Sequence, residues 1–82
     1  MNDYLIFVNG NLAPASHGFG IATATNENGR YLRLTINGLE PKRLDVLEVR
    51  ASNIVRRYQW LPDDKKPVVN GVYDCVGVGN AF

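Results

Sequence analysis

Residues 44–60 read LDVLEVRASNIVRRYQW, and this segment decides the fold class because it can form either one helix or two strands. Apolar side chains recur in it at spacings of three and four residues, the period of an amphipathic helix. These positions are Leu44, Leu47, Ala51, Ile54 and Tyr58. Pro41 lies just before the segment, where a helix could begin. A helix near residues 44–60, within an α+β fold, is therefore one interpretation that the sequence leaves open.

The same segment also has the features of two strands joined by a turn. Several of its apolar residues are β-branched, which lowers helix propensity and suits a pleated sheet. They are Val46, Val49 and Val55. Ser52 and Asn53 lie near the middle, and their side chains compete for local backbone hydrogen bonds in a way that favours turns. We favour the two strands, and we therefore predict an all-β fold.

Four Asn-Gly pairs divide the chain, at positions 9–10, 28–29, 37–38 and 70–71. Both residue types tolerate the positive φ that a type I′ turn requires at its two central residues, and this turn is among the commonest links in tight β-hairpins. The sequence therefore predicts a small SH3-like barrel or a meander of about five to seven short strands, with room for a 3-10 turn.

The individual strands follow from the alternation of side chains. Residues 4–8 predict a first strand, and residues 21–36 predict the most regular hairpin. Alternate residues of its second strand would lie on opposite faces: Leu32, Leu34 and Ile36 on one, and Tyr31, Arg33 and Thr35 on the other. A second hairpin is predicted from Arg30 to Val46 and a terminal one within residues 68–78. The expected core consists of Ile6, Ile21, Leu32, Leu34, Val46, Leu47, Val49 and Ile54.

Size and composition limit the class of protein. The chain has 82 residues, 45% of them hydrophobic and 21% charged, which suits a single small β domain over residues 1–82. Its net charge of +1 and pI near 7.9 lie below the range in which charge alone indicates a nucleic-acid-binding domain. A lone cysteine, Cys75, and one histidine make no internal disulfide and no zinc ligand set, so we expect no metal and no cofactor. The N-terminal residues resemble neither a signal peptide nor a membrane span, so we expect no membrane association and a cytoplasmic location.

A longer stretch resembles a known class of small barrels. It runs from the Gly-aromatic-Gly element at residues 17–21, through residues 30–34 and 42–46, to the Ser-Asn-Ile sequence at residues 52–54. In this order of signals it is similar to the core of Tudor-like and KOW-like barrels of the SH3-like class. The resemblance implies a barrel over residues 17–57, to which this chain adds further strands at both ends.

The basic residues are unevenly distributed. All 9 Lys and Arg residues lie within residues 30–66, together with several aromatic residues. Basic side chains neutralise phosphates and exposed rings stack on unpaired bases, so the mixture is typical of a groove for single-stranded nucleic acid. The predicted nucleic-acid-binding residues are Arg30, Tyr31, Arg33, Lys42, Arg43, Arg56 and Arg57. Because acidic residues balance much of this charge, the same pattern is also compatible with ordinary solvated faces.

We therefore predict a non-enzymatic binding module that contacts nucleic acid or a nucleic-acid-handling machine. The alternative is a protein-interaction or inhibitory accessory protein of the kind found on mobile elements, which would bind a partner protein through a sheet edge and the aromatic residues Tyr58 and Trp60. Trp, Tyr and Arg are enriched where binding energy concentrates. Trp60 would otherwise close one end of the core.

Catalytic interpretations have less support in the sequence. The Gly18-Phe19-Gly20 element lacks the spacing and the lysine of a phosphate-binding loop and predicts a backbone bend. His17, Asp74 and Cys75 include a base, an acid and a nucleophile, but nothing in the sequence brings them together. A cysteine on a strand is more often a small buried hydrophobe. An enzyme whose site forms between subunits is a third alternative.

Overall fold

The computed structural model describes residues 2–14, 18–27, 29–38, 40–62 and 71–78. In this part of the chain there is no helix, and seven strands form one antiparallel sheet. The strands are β1 (Asp3–Val8), β2 (Asn11–Leu12), β3 (Gly20–Asn26), β4 (Gly29–Thr35), β5 (Leu44–Arg50), β6 (Asn53–Trp60) and β7 (Val72–Gly77). The predicted all-β fold is confirmed, and residues 44–60 form β5 and β6 rather than a helix.

The strand order across the sheet is β2-β1-β5-β6-β7-β4-β3. Three hairpins, β1–β2, β3–β4 and β5–β6, are local, while β7 lies between β6 and β4 and pairs with both. The predicted hairpin from Arg30 to Val46 is wrong, because β3 and β7 occupy both sides of β4, so β5 cannot pair with it. Residues 36–43 instead connect two separate parts of the sheet. Of the predicted terminal hairpin, residues 68–70 lie outside the described residues.

Hydrogen bonds hold this connection at both ends. At its start, the backbone N–H of Ile36 donates to the carbonyl of Gly71 at 2.8 Å. At its end, Asn9 Oδ1 accepts the backbone N–H groups of Lys42 at 2.7 Å and Arg43 at 3.1 Å. Gly71 has a φ of +82°, and a Cβ there would lie 3.1 Å from the carbonyl oxygen of Ile36. A glycine suits this position because any side chain would be both strained and crowded.

One hairpin turn follows the expected chemistry and the other two depart from it. Asn9 and Gly10 join β1 to β2 with φ values of 53° and 85°. The β3–β4 ladder closes at the pair Asn26 and Gly29, where a turn was predicted, but Gly29, with a φ of 126°, is itself a strand residue and not a central residue of that turn. The β5–β6 turn has Ala51 and Ser52 at φ values of 50° and 66°. Positive φ at two non-glycine residues costs free energy, so the pairing of the flanking strands must hold this turn.

The core lies on one face of the sheet, here called the inner face. Its buried apolar residues are Ile6, Leu32, Leu34, Ile36, Leu44, Val46, Tyr58, Tyr73 and Cys75. Ile21 is half-buried and packs against them. Leu47 and Val49 were predicted to be core but point to the opposite face, here called the outer face, where they are half-buried. Ile54 is 37% exposed. The alternation in β5 offers apolar side chains on both faces, and its partner strands decide which face is buried.

Candidate functional site

The outer face carries rows of side chains that cross several strands. Their alignment follows from the ladder registers, because directly opposed residues share a face. One row consists of Tyr31, Val76, Gln59, Asp45 and Phe7. The adjacent row consists of Val78, Arg57, Leu47 and Leu5. We call these two rows together the outer-face patch.

Aliphatic side chains in the outer-face patch are unusually open to solvent. Val76 is 62% exposed, Val78 42% and Leu5 40%. Between them lies a shallow groove whose lining includes Phe7, Leu47 and Val78 together with Arg57, Asp45 and Gln59. Scattered exposed apolar residues are ordinary on protein surfaces, but several in adjacent rows form a contiguous patch. The patch therefore combines exposed apolar side chains with polar groups that lie between them in the same rows.

The predicted nucleic-acid-binding residues do not share one surface. Tyr31, Arg33 and Arg57 lie on the outer face, as alternation places them. Arg30 lies on the same strand as Tyr31 but points to the other face, since neighbouring residues alternate. Arg56 likewise lies on the inner face, opposite Glu48. The two remaining residues, Lys42 and Arg43, belong to the connection before β5.

Several of these cations are paired with carboxylates. The Nε atom of Arg33 lies 2.8 Å from Asp74 Oδ1, and both side chains are more than half exposed. The hydrogen bond from Arg33 holds the pKa of Asp74 below its ordinary value. Arg43 Nε lies 2.8 Å from Asp45 Oδ2. The acidic partners reduce the positive potential that a phosphate backbone would meet on the outer face.

A polar cluster on the inner face was not anticipated. Glu48 is only 2% exposed and receives hydrogen bonds from the side chains of Asn2, Tyr58 and Arg56. The Tyr58 hydroxyl donates to Glu48 Oε1 at 2.8 Å, and Arg56 Nη1 lies 3.5 Å from Oε2. The alternation of Leu44, Val46 and Glu48 contained the signal, because it places the carboxylate on the same face as two core residues.

The two predicted partner-binding residues belong to the core or to its border. Tyr58 is 1% exposed, and burial, reinforced by its contact with Glu48, raises its pKa to about 12. Trp60 is half-buried and packs against the core, with its ring centre 4.9 Å from that of Tyr73 at an interplanar angle of 74°. As the chain is folded, Tyr58 offers no surface to a partner. Part of Trp60 remains open to solvent at the border of the core, so its role in partner binding stays a prediction.

Two of the three residues with catalytic side chains, Asp74 and Cys75, point to opposite faces of the sheet. Cys75 is fully buried on the inner face, and burial raises the pKa of its thiol to about 12. Asp74 lies on the outer face with Arg33, while His17 lies outside the described residues. In the part of the chain that the structure describes, no group of three or more His, Cys, Asp or Glu side chains is placed to hold a metal ion.

Comparisons with known proteins give no relative: no protein-family model, no curated protein and no solved structure matches this chain. Within the described residues, no helical segment has the length and apolarity needed to cross a membrane. A proposal for function therefore rests on the geometry of the outer face.

Proposed function

We propose that this chain is a non-enzymatic, cytoplasmic protein-interaction module that binds a partner protein through the outer-face patch. The observation that carries the proposal is the exposure of Val76, at 62%, directly beside Tyr31 in one row of the patch. Arg57 lies in the adjacent row beside Val78. Exposed aliphatic side chains with a tyrosine and an arginine nearby are the composition in which binding energy concentrates at protein interfaces.

Charge balance favours a protein over a nucleic acid as the partner. The outer-face cations Arg33 and Arg43 each lie 2.8 Å from a carboxylate, so a phosphate would have to compete with an acid for each of them. Binding to nucleic acid gains most of its free energy from cations that release counterions. A surface of mixed charge with exposed apolar side chains gains more by removing those side chains from water.

The resemblance of residues 17–57 to SH3-like barrels agrees with a binding role. The likeness is limited to a small antiparallel sheet with one packed face, because β7 lies between β6 and β4 and separates the strands of residues 17–57 into two hairpins. Barrels this small are filled by their own side chains and present ligands with a surface rather than an internal pocket. The inner face of this chain, packed with buried residues, fits that description.

The test compares Val76→Asp with Ser52→Asp. Both residues are exposed, so each substitution should change stability by less than about 0.5 kcal/mol. Ser52 lies in the β5–β6 turn, beyond the strand pairs that form the patch. The tagged chain would be used to isolate a partner from extract of its source cells, and calorimetry would give the affinity of each purified variant.

We expect Val76→Asp to raise the Kd at least about tenfold, because the carboxylate must be desolvated at the centre of the interface. Ser52→Asp should bind like the original chain. Unchanged affinity of Val76→Asp would contradict the proposal, as would the absence of any specifically retained protein.

A second candidate, binding of single-stranded nucleic acid, is favoured by one observation. Tyr31 and Arg33 project side by side from the outer face, which is the pairing of ring and cation that stacks on a base and holds its phosphate. Labelled DNA and RNA oligonucleotides would be titrated at low and at physiological salt. If this candidate is correct, affinity falls with salt by a log-log slope of about −0.7 per phosphate neutralised, and Tyr31→Ala weakens binding by about 1 to 3 kcal/mol. No binding at low salt would eliminate it.

A further inference from the structure

The two edges of the sheet differ in how they are protected. At one edge, β2 has only two residues, Asn11 and Leu12, and Pro14 follows closely. Short edge strands and nearby prolines prevent the addition of another strand. At the other edge, β3 runs for 7 residues, Gly20–Asn26, and β4 is its sole neighbour within the described sheet. The second edge therefore offers a long ladder of main-chain donors and acceptors.

The β3 edge lacks the usual protective features. Residues 18–26 contain no charged residue and no proline, and the β3–β4 register runs without a bulge from Gly20 to Asn26. Ala22, Thr23 and Thr25 are exposed. A regular, uncharged and exposed edge is a template for pairing with another strand. Native proteins rarely leave such an edge uncovered.

We propose that β3 pairs with β3 of a second copy, antiparallel about a two-fold axis through Thr23. When two sheets join edge to edge about such an axis, the inner faces of both copies lie on the same side of the combined sheet. Directly opposed residues must therefore point to the same side, so their residue numbers are both odd or both even. Thr23 is the middle residue of Gly20–Asn26. Centring the axis there pairs the whole strand with its copy and leaves no overhang.

The side chains of β3 are complementary to themselves in this register. On the inner side, Thr23 would face Thr23 of the second copy and Ile21 would face Thr25, which are favourable cross-strand pairs for β-branched residues. On the outer side, Ala22 would face Ala24. No like charges meet, because the strand carries none. A second copy therefore pairs with the main-chain donors and acceptors of the β3 edge without bringing like charges together.

The outer face gives a further reason to choose a second copy as the occupant. Ala24 lies opposite Tyr31 and Ala22 opposite Arg33 in the β3–β4 ladder. In the proposed dimer, Tyr31 of one copy and Arg33 of the other would lie in one row with only two alanines between them. The two alanines are small, so they do not obstruct the approach of the second copy on the outer side. Arg33 keeps its ion pair with Asp74, and the two-fold axis repeats the arrangement.

Cysteine cross-linking tests the register. Thr23→Cys places two thiols directly opposite each other, with Cα atoms about 4.5 to 5.5 Å apart, a separation that a disulfide spans. Thr25→Cys is the matched control on the same strand and face, because its two copies would lie about 14 Å apart. Both positions are exposed, so both variants should fold. The native Cys75 is buried and should not react.

We expect mild oxidation to give a covalent dimer of Thr23→Cys and none of Thr25→Cys. Light scattering with size-exclusion chromatography should show a concentration-dependent dimer of the original chain, and Thr23→Lys should be monomeric because it places two cations face to face. A chain that is monomeric up to millimolar concentration, equal cross-linking of both cysteine variants, or a dimer that survives Thr23→Lys would overturn the proposal. Val76→Asp should leave the dimer intact, which separates this inference from the proposed partner site.

Discussion

Glu48 is the one charged residue in the described part of the chain that is buried in the core. A buried carboxylate is tolerated only when hydrogen bonds replace the water it has lost. Asn2, Tyr58 and Arg56 supply those hydrogen bonds. They come from the N-terminal segment and from β6, so the carboxylate ties both to β5.

Replacing Glu48 should therefore destabilise the protein more than replacing a surface acid. Glu48→Ala would leave the buried Tyr58 hydroxyl without its acceptor and Arg56 without its counterion. We expect a loss of about 2 to 4 kcal/mol in the free energy of unfolding, measured by urea denaturation. Glu40→Ala is the control, because Glu40 is exposed and its removal should cost less than about 0.5 kcal/mol. Equal effects of the two substitutions would show that the cluster contributes nothing specific.

The buried thiol of Cys75 and the buried hydroxyl of Tyr58 should make the free energy of unfolding fall at alkaline pH. Burial raises the pKa of Cys75 from 9.0 to about 12 and that of Tyr58 from 10.0 to about 12. Between those values the unfolded chain loses protons that the folded chain retains, so rising pH favours unfolding. The loss begins above about pH 9 and has a limiting slope of about 1.4 kcal/mol per pH unit for each group.

The measurement is the urea midpoint at pH 8 and at pH 10.5. The original chain should lose more stability across this interval than Cys75→Ala, which lacks the titrating thiol. The comparison uses the change with pH and is therefore independent of the cavity that the substitution leaves. An identical decrease in both proteins would mean that the thiol ionises as readily in the fold as in the unfolded chain.

At the level of single elements, the β5–β6 hairpin has the least favourable turn for its backbone. Ala51 and Ser52 both adopt positive φ, a conformation that Asn-Gly provides at lower cost. The turn is held by seven ladder pairs in total, five on one side of a bulge and two on the other. The hydrogen bond from Asn53 Nδ2 to the Ala51 carbonyl, at 3.2 Å, adds a local contact.

Ser52→Gly should stabilise the protein. Glycine adopts the φ of 66° observed at this position without the steric cost that serine incurs, and Ser52 is exposed, so no packing is lost. We expect a gain of about 0.5 to 1 kcal/mol by urea denaturation, reduced somewhat by the extra entropy that glycine gives the unfolded chain. Gly38→Ala provides the reverse control. Gly38 has a φ of +78° with open space around it, so the alanine variant should be less stable because of the backbone strain alone. A destabilised Ser52→Gly would contradict this account of the turn.

At the level of the whole molecule, β7 connects two parts of the sheet. One part contains β2, β1, β5 and β6, and the other contains β4 and β3. In the described sheet the two parts are joined through the ladders that β7 forms with β6 and β4. Tyr73 on β7 also packs against Trp60 on β6. The two parts should therefore unfold together.

Tyr73→Ala tests this coupling. The substitution removes a ring that is 5% exposed and should cost about 3 to 5 kcal/mol, as large aromatic-to-alanine changes in cores do. Urea unfolding would be followed by Trp60 fluorescence for the first part and by amide exchange in β3 and β4 for the second, and both midpoints should shift by the same amount. Val76→Ala on the same strand, at a residue 62% exposed, should have little effect. Separate transitions would show two independent units.

Much of the candidate site lay beyond what the sequence could predict, for a physical reason. The alternation in residues 31–36 correctly placed Tyr31 and Arg33 together and away from Leu34, because side-chain direction in a strand is a local property. Whether the cations of different strands share a surface depends on pairing between distant residues. Arg33 meets Asp74, 41 residues away in sequence, and no local pattern specifies that contact.

The sequence by itself determined where the Asn9-Gly10 turn lies and which segments alternate as strands, since these follow from backbone preferences of neighbouring residues. For residues 44–60 it favoured two strands over a helix without excluding the helix. Only the tertiary structure decided that β7 lies between β4 and β6 and that Glu48 rather than Leu47 faces the core. Both faces of β5 carry apolar side chains, so its local pattern is ambiguous. The partner strands resolve it, because burying one face of a strand commits every alternate residue along it.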